Sequence, residues 1–257
     1  MCASPGLMLA FVTLMRRELA GFFVSLSGYV IIASVALLVG LSYWNLAEAL
    51  RGEAVPVPLT ELFFNTTYFW IILLLSTPVI TMRLFALEKY SGTFETLMTA
   101  PVSDLTVVMA KFAAALVFFL MMWLPLMGYI AVLELSSSDS AMLDWGGVGG
   151  AFAGIFLIGC LFMAIGAFAS SLTRNQIIAA VISLLLGVAL VFMGFLGKAV
   201  TPREGLASDV LRYVSMFDHM EDFSRGILDT RAVAFYLSST LFFLFFTHRI
   251  VESRRWK

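Results

Sequence analysis

The stretch IIAAVISLLLGVALVFMGFLG at residues 177–197 decides the class of this fold, because its 21 residues include no charged side chain. A helix needs about 20 mostly apolar residues to cross the hydrocarbon core of a bilayer. The stretch is apolar on every side and lacks the alternation of a membrane barrel strand. It therefore predicts an α-helical membrane protein.

Five further stretches have the same character, and together they predict six membrane spans. They lie at residues 27–45, 62–82, 106–130, 147–169 and 232–250. The chain is 61% hydrophobic and 13% charged, about half the charge of a soluble domain, which excludes a soluble globular protein. No connection is long enough for a soluble domain, so we expect one transmembrane domain over residues 1–257.

Charge placement predicts the orientation of the spans. Six spans put both termini on one side, and ten of the 16 Lys and Arg residues fall on that side, against five of the 17 acids. These ten are Arg16, Arg17, Arg83, Lys89, Lys111, Arg174, Arg249, Arg254, Arg255 and Lys257. Because cytoplasmic segments carry the Lys and Arg excess, both termini are predicted to be cytoplasmic and the outer face acidic.

The N-terminal segment is apolar from Leu7 to Met15 and then carries Arg16, Arg17 and Glu18. This run is too short to span a bilayer. It is either an amphipathic helix lying in the membrane interface, which we favour, or a frayed tail.

Residues that could do chemistry are scarce in the spans. Glu61 and Lys111 lie near span ends, where long side chains can reach the interface. His219 and His248 lack the partners that a metal or haem site needs. No phosphate-binding loop of the Walker type occurs. We therefore expect a non-catalytic chain with no metal or cofactor of its own.

The second span carries a polar cluster that is a candidate transport pathway. Its members are Asn65, Thr66, Thr67, Tyr68, Ser76 and Thr77. They either line a passage or bond to their own or a neighbouring helix backbone. In the fourth span, Gly146, Gly150 and Gly154 indicate close helix packing, either within one subunit or across a dimer seam.

The connection between the second and third spans, RLFALEKYSGTFETLMTAPVSD at residues 83–104, is the most informative part of the chain. Arg83 to Lys89 is predicted to continue the second span as a helix that Gly92 breaks. Thr93 can cap a second short helix with Glu95 in its first turn, where the helix dipole favours an acid.

That second helix would present Phe94, Leu97 and Met98 on one face before Pro101 ends it. A short helix with unfilled apolar positions at the membrane surface suits a groove on a partner protein. The alternative is a capped turn that only joins two spans.

The run EKYSGTFETLMTAP at residues 88–101 resembles the signature of type-2 ABC transporter permeases. The resemblance implies a type-2 exporter fold in which this loop forms the coupling helix, docked on a separate ATPase subunit. It implies coupling roles for Glu88, Gly92, Thr93, Phe94, Glu95, Leu97, Met98 and Pro101. Arg16, Arg17 and Glu18 match the charged N-terminal elbow helix of the family.

The resemblance also implies partners and location. These are two ABC ATPase subunits that bind ATP and Mg²⁺, a second permease copy or homologue, and a bacterial cytoplasmic membrane. Residues 213–229, YVSMFDHMEDFSRGILD, look like the segment before the sixth span in the gliding-motility and copper-maturation branch. The apolar positions between Leu206 and Ile227 have a roughly helical spacing and predict short amphipathic helices at the outer face, which either cap the pathway or form a hairpin with no gating role.

The predicted function is a permease subunit that couples ATP hydrolysis on another chain to substrate movement, with export expected. Two alternatives remain. One is a structural or assembly subunit that couples an ATPase to an extracytoplasmic machine. The other is an autonomous secondary transporter, which usually requires internal repeats and midplane charges.

Overall fold

The computed structural model describes residues 5–49, 63–64, 66–95, 102–136, 145–199 and 213–253. Nearly all of these residues are helical, and none of them lies in a strand. The helices are α1 (Pro5–Val24), α2 (Leu26–Ala49), α3 (Thr67–Thr81), α4 (Ala86–Ser91), α5 (Asp104–Met122), α6 (Leu124–Ser136), α7 (Trp145–Leu172), α8 (Gln176–Ala199), α9 (Met216–Ser224) and α10 (Thr230–Ser253).

Six helical segments of the described chain are long and apolar enough to cross a membrane. They are Leu26–Leu46, Thr67–Ser91, Asp104–Val132, Trp145–Leu172, Gln176–Leu196 and Thr230–Ser253. Each overlaps one of the six predicted spans, so the prediction of an all-α membrane protein with six spans is confirmed.

Helix α7 is the centre of the bundle. In its most apolar window 78% of the residues are buried, against 28% in α2, 22% in α8 and 28% in α10. Helix α10 packs along α7, and α3, α5, α8 and α9 also contact it. The bundle therefore has an inner helix covered by the protein and outer helices with large apolar faces directed away from it.

Glycines along α7 let its neighbours approach closely. A Cβ at Gly166 would overlap the side chain of Thr81 in α3, and one at Gly150 would overlap the carbonyl oxygen of Phe223 in α9. At Gly154 a Cβ would press on the Phe223 ring. At these positions the glycines serve packing within one subunit, the first of the two alternatives.

One predicted helix boundary is wrong. Helix α3 ends at Thr81 instead of continuing to Lys89, because residues 82–85 turn before α4 begins. The third span is interrupted at Trp123, two residues before Pro125, which has no amide hydrogen to donate.

Helix α1 is longer than the predicted apolar run, since it covers 20 residues and packs along α5. This contact excludes the frayed tail for residues 5–24 and brings the elbow segment against a membrane span.

The described part of the outer segment forms α9, which begins after Ser215 as its N-cap. The Ser215 hydroxyl accepts the amide of Asp218 at 3.5 Å. Met216, Met220 and Phe223 are buried, and Met220 and Phe223 lie against Gly154 of α7. An amphipathic helix therefore occurs here as expected, while residues 206–212 lie outside the described chain.

Candidate functional site

A buried lysine joins three separate elements at one end of the bundle. Lys111 of α5 is 2% exposed, and its Nζ lies 3.0 Å from Oε1 of Glu18 in α1 and 2.9 Å from Oε1 of Glu88 in α4. The expectation that Lys111 reaches out to the interface is wrong. Two carboxylates come to the lysine, so its charge is neutralised inside the protein.

Arg17 completes this group on the solvent side. Its Nη2 lies 2.8 Å from Oε1 of Glu18 and 3.1 Å from Oε1 of Glu88. We call Arg17, Glu18, Glu88 and Lys111 the charged cluster. Each acid is thus shared by both cations, which is the close geometry that a buried ion pair needs to offset its desolvation.

The pKa of Glu18 reports this balance. Burial pushes it upward, but the charges and hydrogen bonds of Lys111 and Arg17 outweigh burial, and the pKa lies below its usual value. The hydrogen bond to Glu18 in turn raises the pKa of Arg17. Both groups therefore stay ionised at neutral pH.

A serine from α7 fixes the start of α4. The Ser170 hydroxyl accepts the backbone amides of Phe85 and Ala86, each at 3.1 Å, and donates to the carbonyl of Met82 at 3.1 Å. The first amides of a helix have no partner within that helix. Ser170 supplies one, which explains why the chain turns at residues 82–85 and restarts as a new helix.

Lys89 turns inward instead of facing solvent. It is 8% exposed, its Nζ donates to the Ser171 carbonyl at the end of α7, and it lies 5.3 Å above the ring of Phe94. Phe94 is itself 7% exposed. In this structure Phe94 packs against its own chain, contrary to the expectation that it fills a groove on a partner.

The outward surface of the loop consists of other residues. Gly92 ends α4 in the left-handed conformation with φ 76°, at the predicted break. Tyr90 is 79% exposed, and Thr93 and Glu95 are exposed beside it. The predicted coupling residues Leu97, Met98 and Pro101 lie outside the described residues.

Arg83 ties the same loop to the junction between α1 and α2. Its Nη1 donates to Ser27 at 3.1 Å, and its Nη2 to the Gly21 carbonyl at 3.4 Å. Between this arginine and the charged cluster lies a cavity of about 630 Å³ with Leu87 and Thr93 on its wall.

The predicted pathway residues fall into two groups. The hydroxyls of Ser76 and Thr77 are buried and donate to the carbonyls of Ile72 and Leu73 in their own helix, which is the second of the two alternatives. The other described members lie near the opposite end of α3.

Near the N-terminal end of α3 the polar side chains also bond within the protein. The Thr66 hydroxyl donates to the Phe63 carbonyl at 2.6 Å, and the Tyr68 hydroxyl accepts from the Asn45 side-chain amide at 2.7 Å. Thr67 lines an apolar groove of about 410 Å³ with Trp70 and Phe192. Asn65 lies outside the described residues.

Sequence reasoning missed Lys89, Tyr90 and Ser170 as parts of this site. For Lys89, its spacing of three residues from Ala86 on one helix face was the available signal. Helical spacing gave no signal for Tyr90, which is four residues after the buried Ala86 and is nevertheless exposed. No local signal pointed to Ser170, which is 84 residues from Ala86.

Six apolar helices and a loop locked to the bundle by buried ion pairs define this chain as a multi-pass α-helical membrane protein. A family model described as ABC-2 family transporter protein matches residues 56–218, more than half of the chain. The chain belongs to that family, which provides the permease component of ABC transporters and works with ABC ATPase subunits. The members are generally non-catalytic membrane components.

A search of curated proteins found no significant match. The narrower gliding-motility and copper-maturation branch stays a prediction.

Proposed function

We propose that this chain transmits ATP hydrolysis on a separate ABC ATPase to substrate export across the bacterial cytoplasmic membrane. The charged cluster is the observation that carries the proposal. Through it, α4 of the loop is held to the elbow helix α1 and to α5 within the bundle. A displacement of the loop would therefore displace α1 and α5 together with it.

The contact surface for the ATPase is the exposed part of the loop. Tyr90, Thr93 and Glu95 are exposed to solvent. Phe94 and Lys89 are buried and pack against the rest of the chain. Tyrosine is enriched among the residues that dominate binding energy at protein interfaces. We assign Tyr90 as the apolar anchor and Glu95 as the charge that meets a basic group on the ATPase. Leu97, Met98 and Pro101 would extend this surface.

Orientation and assembly belong to the same proposal. The Lys and Arg excess on the side of the charged cluster supports cytoplasmic termini and a cytoplasmic loop. ATP and Mg²⁺ would bind on the ATPase. A second permease copy or homologue would cover one of the apolar outer faces, of which that of α8 is the least buried. The groove beside Thr67 would then lie near the pathway.

The test is capture of the ATPase by a tagged copy of this chain expressed in its source cells. We expect an ABC ATPase to copurify and to hydrolyse Mg·ATP. Glu95→Arg and Tyr90→Ala should each lower the captured ATPase at least tenfold while the chain still inserts and keeps its unfolding temperature.

Matched controls are available at the opposite end of the bundle. Glu48 is exposed near the end of α2, and Trp145 is 59% exposed at the start of α7. Glu48→Arg and Trp145→Ala should capture as much ATPase as the wild type. Consistent purification without any ATP-binding subunit would overturn the proposal, as would equal losses in the loop variants and these controls.

A further inference from the structure

The junction between α1 and α2 lies at one end of a membrane span. Helix α1 ends at Val24, and the first span begins two residues later at Leu26, the first residue of α2. The ends of a membrane span lie at the depth of the lipid headgroups. Side chains at this junction are therefore placed to meet lipid phosphates as well as acyl chains.

Arg83 brings its guanidinium to this junction from the turn after α3. Its Nη1 donates to the hydroxyls of Ser25 at 3.3 Å and Ser27 at 3.1 Å, and its Nη2 donates to the Gly21 carbonyl at 3.4 Å. Its Cζ lies 5.3 Å from the centre of the buried Phe22 ring. The guanidinium is thus held in place by groups that carry no net charge.

Arg83 has no acid partner among the described residues. The nearby carboxylates of Glu18 and Glu88 are each bound by both cations of the charged cluster, Arg17 and Lys111, at 2.8–3.1 Å. This region therefore holds three cations and two acids, and Arg83 is the cation without a carboxylate. Basic pockets of this kind between membrane helices attract anionic lipid headgroups.

Hydrogen-bond donors remain unused at the same place. A guanidinium has five N–H donors, and the three bonds of Arg83 use at most three of them. The Ser25 and Ser27 hydroxyls are in hydrogen-bond contact, and only one of them can donate to the other. The hydrogen of the second hydroxyl has no acceptor in the described chain. Phosphate oxygens accept hydrogen bonds and pair well with guanidinium groups.

A ligand can reach these donors from outside the protein. Arg83 is half-buried and lines the cavity of about 630 Å³ beside the charged cluster, and Ser27 is exposed. The cavity volume falls within the range of about 300–1,000 Å³ that small-molecule sites occupy. The site therefore has room for a headgroup.

Large apolar side chains flank the donors in the chain. Val24 is 87% exposed, Leu26 79% and Tyr29 56%. A soluble phosphate compound leaves such side chains uncovered, whereas a phospholipid covers them with its acyl chains. Tyrosine is also enriched at the membrane interface. The combination of donors and apolar neighbours favours a lipid over a soluble phosphate compound.

We propose that the junction between α1 and α2 binds an anionic phospholipid. Arg83, Ser25 and Ser27 donate hydrogen bonds to its phosphate, and its acyl chains lie along Val24 and Leu26. A zwitterionic headgroup carries its own ammonium and offers no net charge to Arg83, so an anionic headgroup is preferred. The site involves this chain alone, and its test is independent of whether an ATPase binds.

The experiment is native mass spectrometry of the full chain released from dodecyl maltoside micelles. The chain is titrated with phosphatidylglycerol or with phosphatidylcholine of the same acyl chains. We expect the first phosphatidylglycerol to bind about tenfold more tightly than phosphatidylcholine, the effect of one charge-assisted hydrogen bond. The soluble headgroup sn-glycero-3-phosphoglycerol should bind more weakly than the intact lipid. Equal binding of the two lipids, or of the soluble headgroup and the lipid, would overturn the proposal.

Two arginine variants test the donor. Arg83→Gln should weaken the first phosphatidylglycerol binding step about tenfold. Arg249→Gln is the matched control, because it removes the same charge near the end of α10 from a residue that is already paired with Glu252. It should bind the lipid as the wild type does. Equal losses in the two variants would contradict a site at Arg83.

A second set of variants leaves the contacts of Arg83 intact and decides the matter if Arg83→Gln fails to fold. Leu26→Glu places a negative charge beside Ser27 and should weaken phosphatidylglycerol binding, whereas the uncharged Leu26→Gln should weaken it less. Leu9→Glu adds the same charge at a position of α1 that is 72% exposed and about 22 Å from Val24 along the helix. It should bind as the wild type does. Equal binding by Leu26→Glu and Leu9→Glu would overturn the proposal.

Discussion

The two ends of α7 differ in how the charged side chains around them are paired. At one end Lys111 and Arg17 share Glu18 and Glu88, so two cations balance two acids within about 3 Å. At the other end Glu221 pairs with Arg225 at 2.8 Å along the surface of α9, and the buried His219 has an Nδ1 without a hydrogen-bond partner among the described residues.

This difference separates two uses of charge in a protein with few charges. Paired charges that are buried between elements fix those elements to one another, because separating them exposes an unpaired charge to a medium of low dielectric. An ion pair on the surface of a single helix, such as Glu221 with Arg225, joins no second element and contributes about 1 kcal/mol or less. The first arrangement suits a mechanical joint between helices, whereas the second stabilises only its own helix.

The largest effect is expected from breaking the paired end. Lys111→Met leaves Glu18 and Glu88 buried without their central cation, and removal of one partner of a buried pair costs about 3 kcal/mol or more. The free energy of unfolding in detergent should fall by that amount. Arg249→Met is the matched control, because its pair with Glu252 is exposed, and such pairs contribute about 1 kcal/mol or less.

A second substitution checks the cause of that loss. Adding Glu88→Gln to Lys111→Met removes one of the stranded buried charges, so part of the lost stability should return. If Lys111→Met loses no more stability than Arg249→Met, the charged cluster does not hold the loop to the bundle.

Much of the fold could be predicted from sequence because it depends on local hydropathy and caps. The six spans follow from apolar runs of about 20 residues. The Ser103 cap of α5, where the hydroxyl accepts the Thr106 amide at 3.3 Å, follows from serine standing just before an acid and an apolar run. The break at Gly92 follows from the freedom of glycine at positive φ.

The site was harder to predict because its contacts are distant in sequence. Lys111 and Glu18 are 93 residues apart, so hydropathy alone placed the lysine at a span end and gave no sign of its partners. Phe94 was assigned to a partner because it has an apolar side chain at a helical spacing. The fold buries that ring beneath Lys89 and exposes Tyr90 in its place.

A smaller effect tests how α7 holds the loop at the paired end. Ser170→Ala removes the acceptor of the Phe85 and Ala86 amides, and loss of a helix N-cap costs about 1 kcal/mol. We expect that loss in the unfolding free energy, with faster proteolysis near residues 82–91. Ser171→Ala is the control on the adjacent residue, because its hydroxyl donates only to the Phe168 carbonyl of its own helix at 2.7 Å. Equal losses in the two variants would contradict a capping role for Ser170.

The smallest effect concerns the α9 end and appears as a dependence of stability on pH. Burial lowers the pKa of His219, and the charges of Asp218, Asp222 and Asp229 oppose this only in part. Below the ordinary histidine pKa of 6.5, His219 is protonated in the unfolded chain but stays neutral in the folded chain. The free energy of unfolding therefore falls as the pH falls. Between pH 7 and pH 6 this one proton can remove at most about 0.7 kcal/mol.

The measurement compares wild type with His219→Gln, which cannot take up the proton and should lose less stability over this interval. At pH 8 the histidine is neutral in both states, so the difference between the two proteins at that pH gives the packing effect of the substitution alone. Asp222 acts with the opposite sign, because its raised pKa lets the folded chain bind a proton first, and this gain begins at lower pH. Parallel curves for wild type and His219→Gln from pH 8 to pH 6 would show that the buried imidazole does not titrate as the structure requires. Divergence below pH 7 would instead identify His219 as a group that burial beside α7 and α10 keeps neutral in the folded chain.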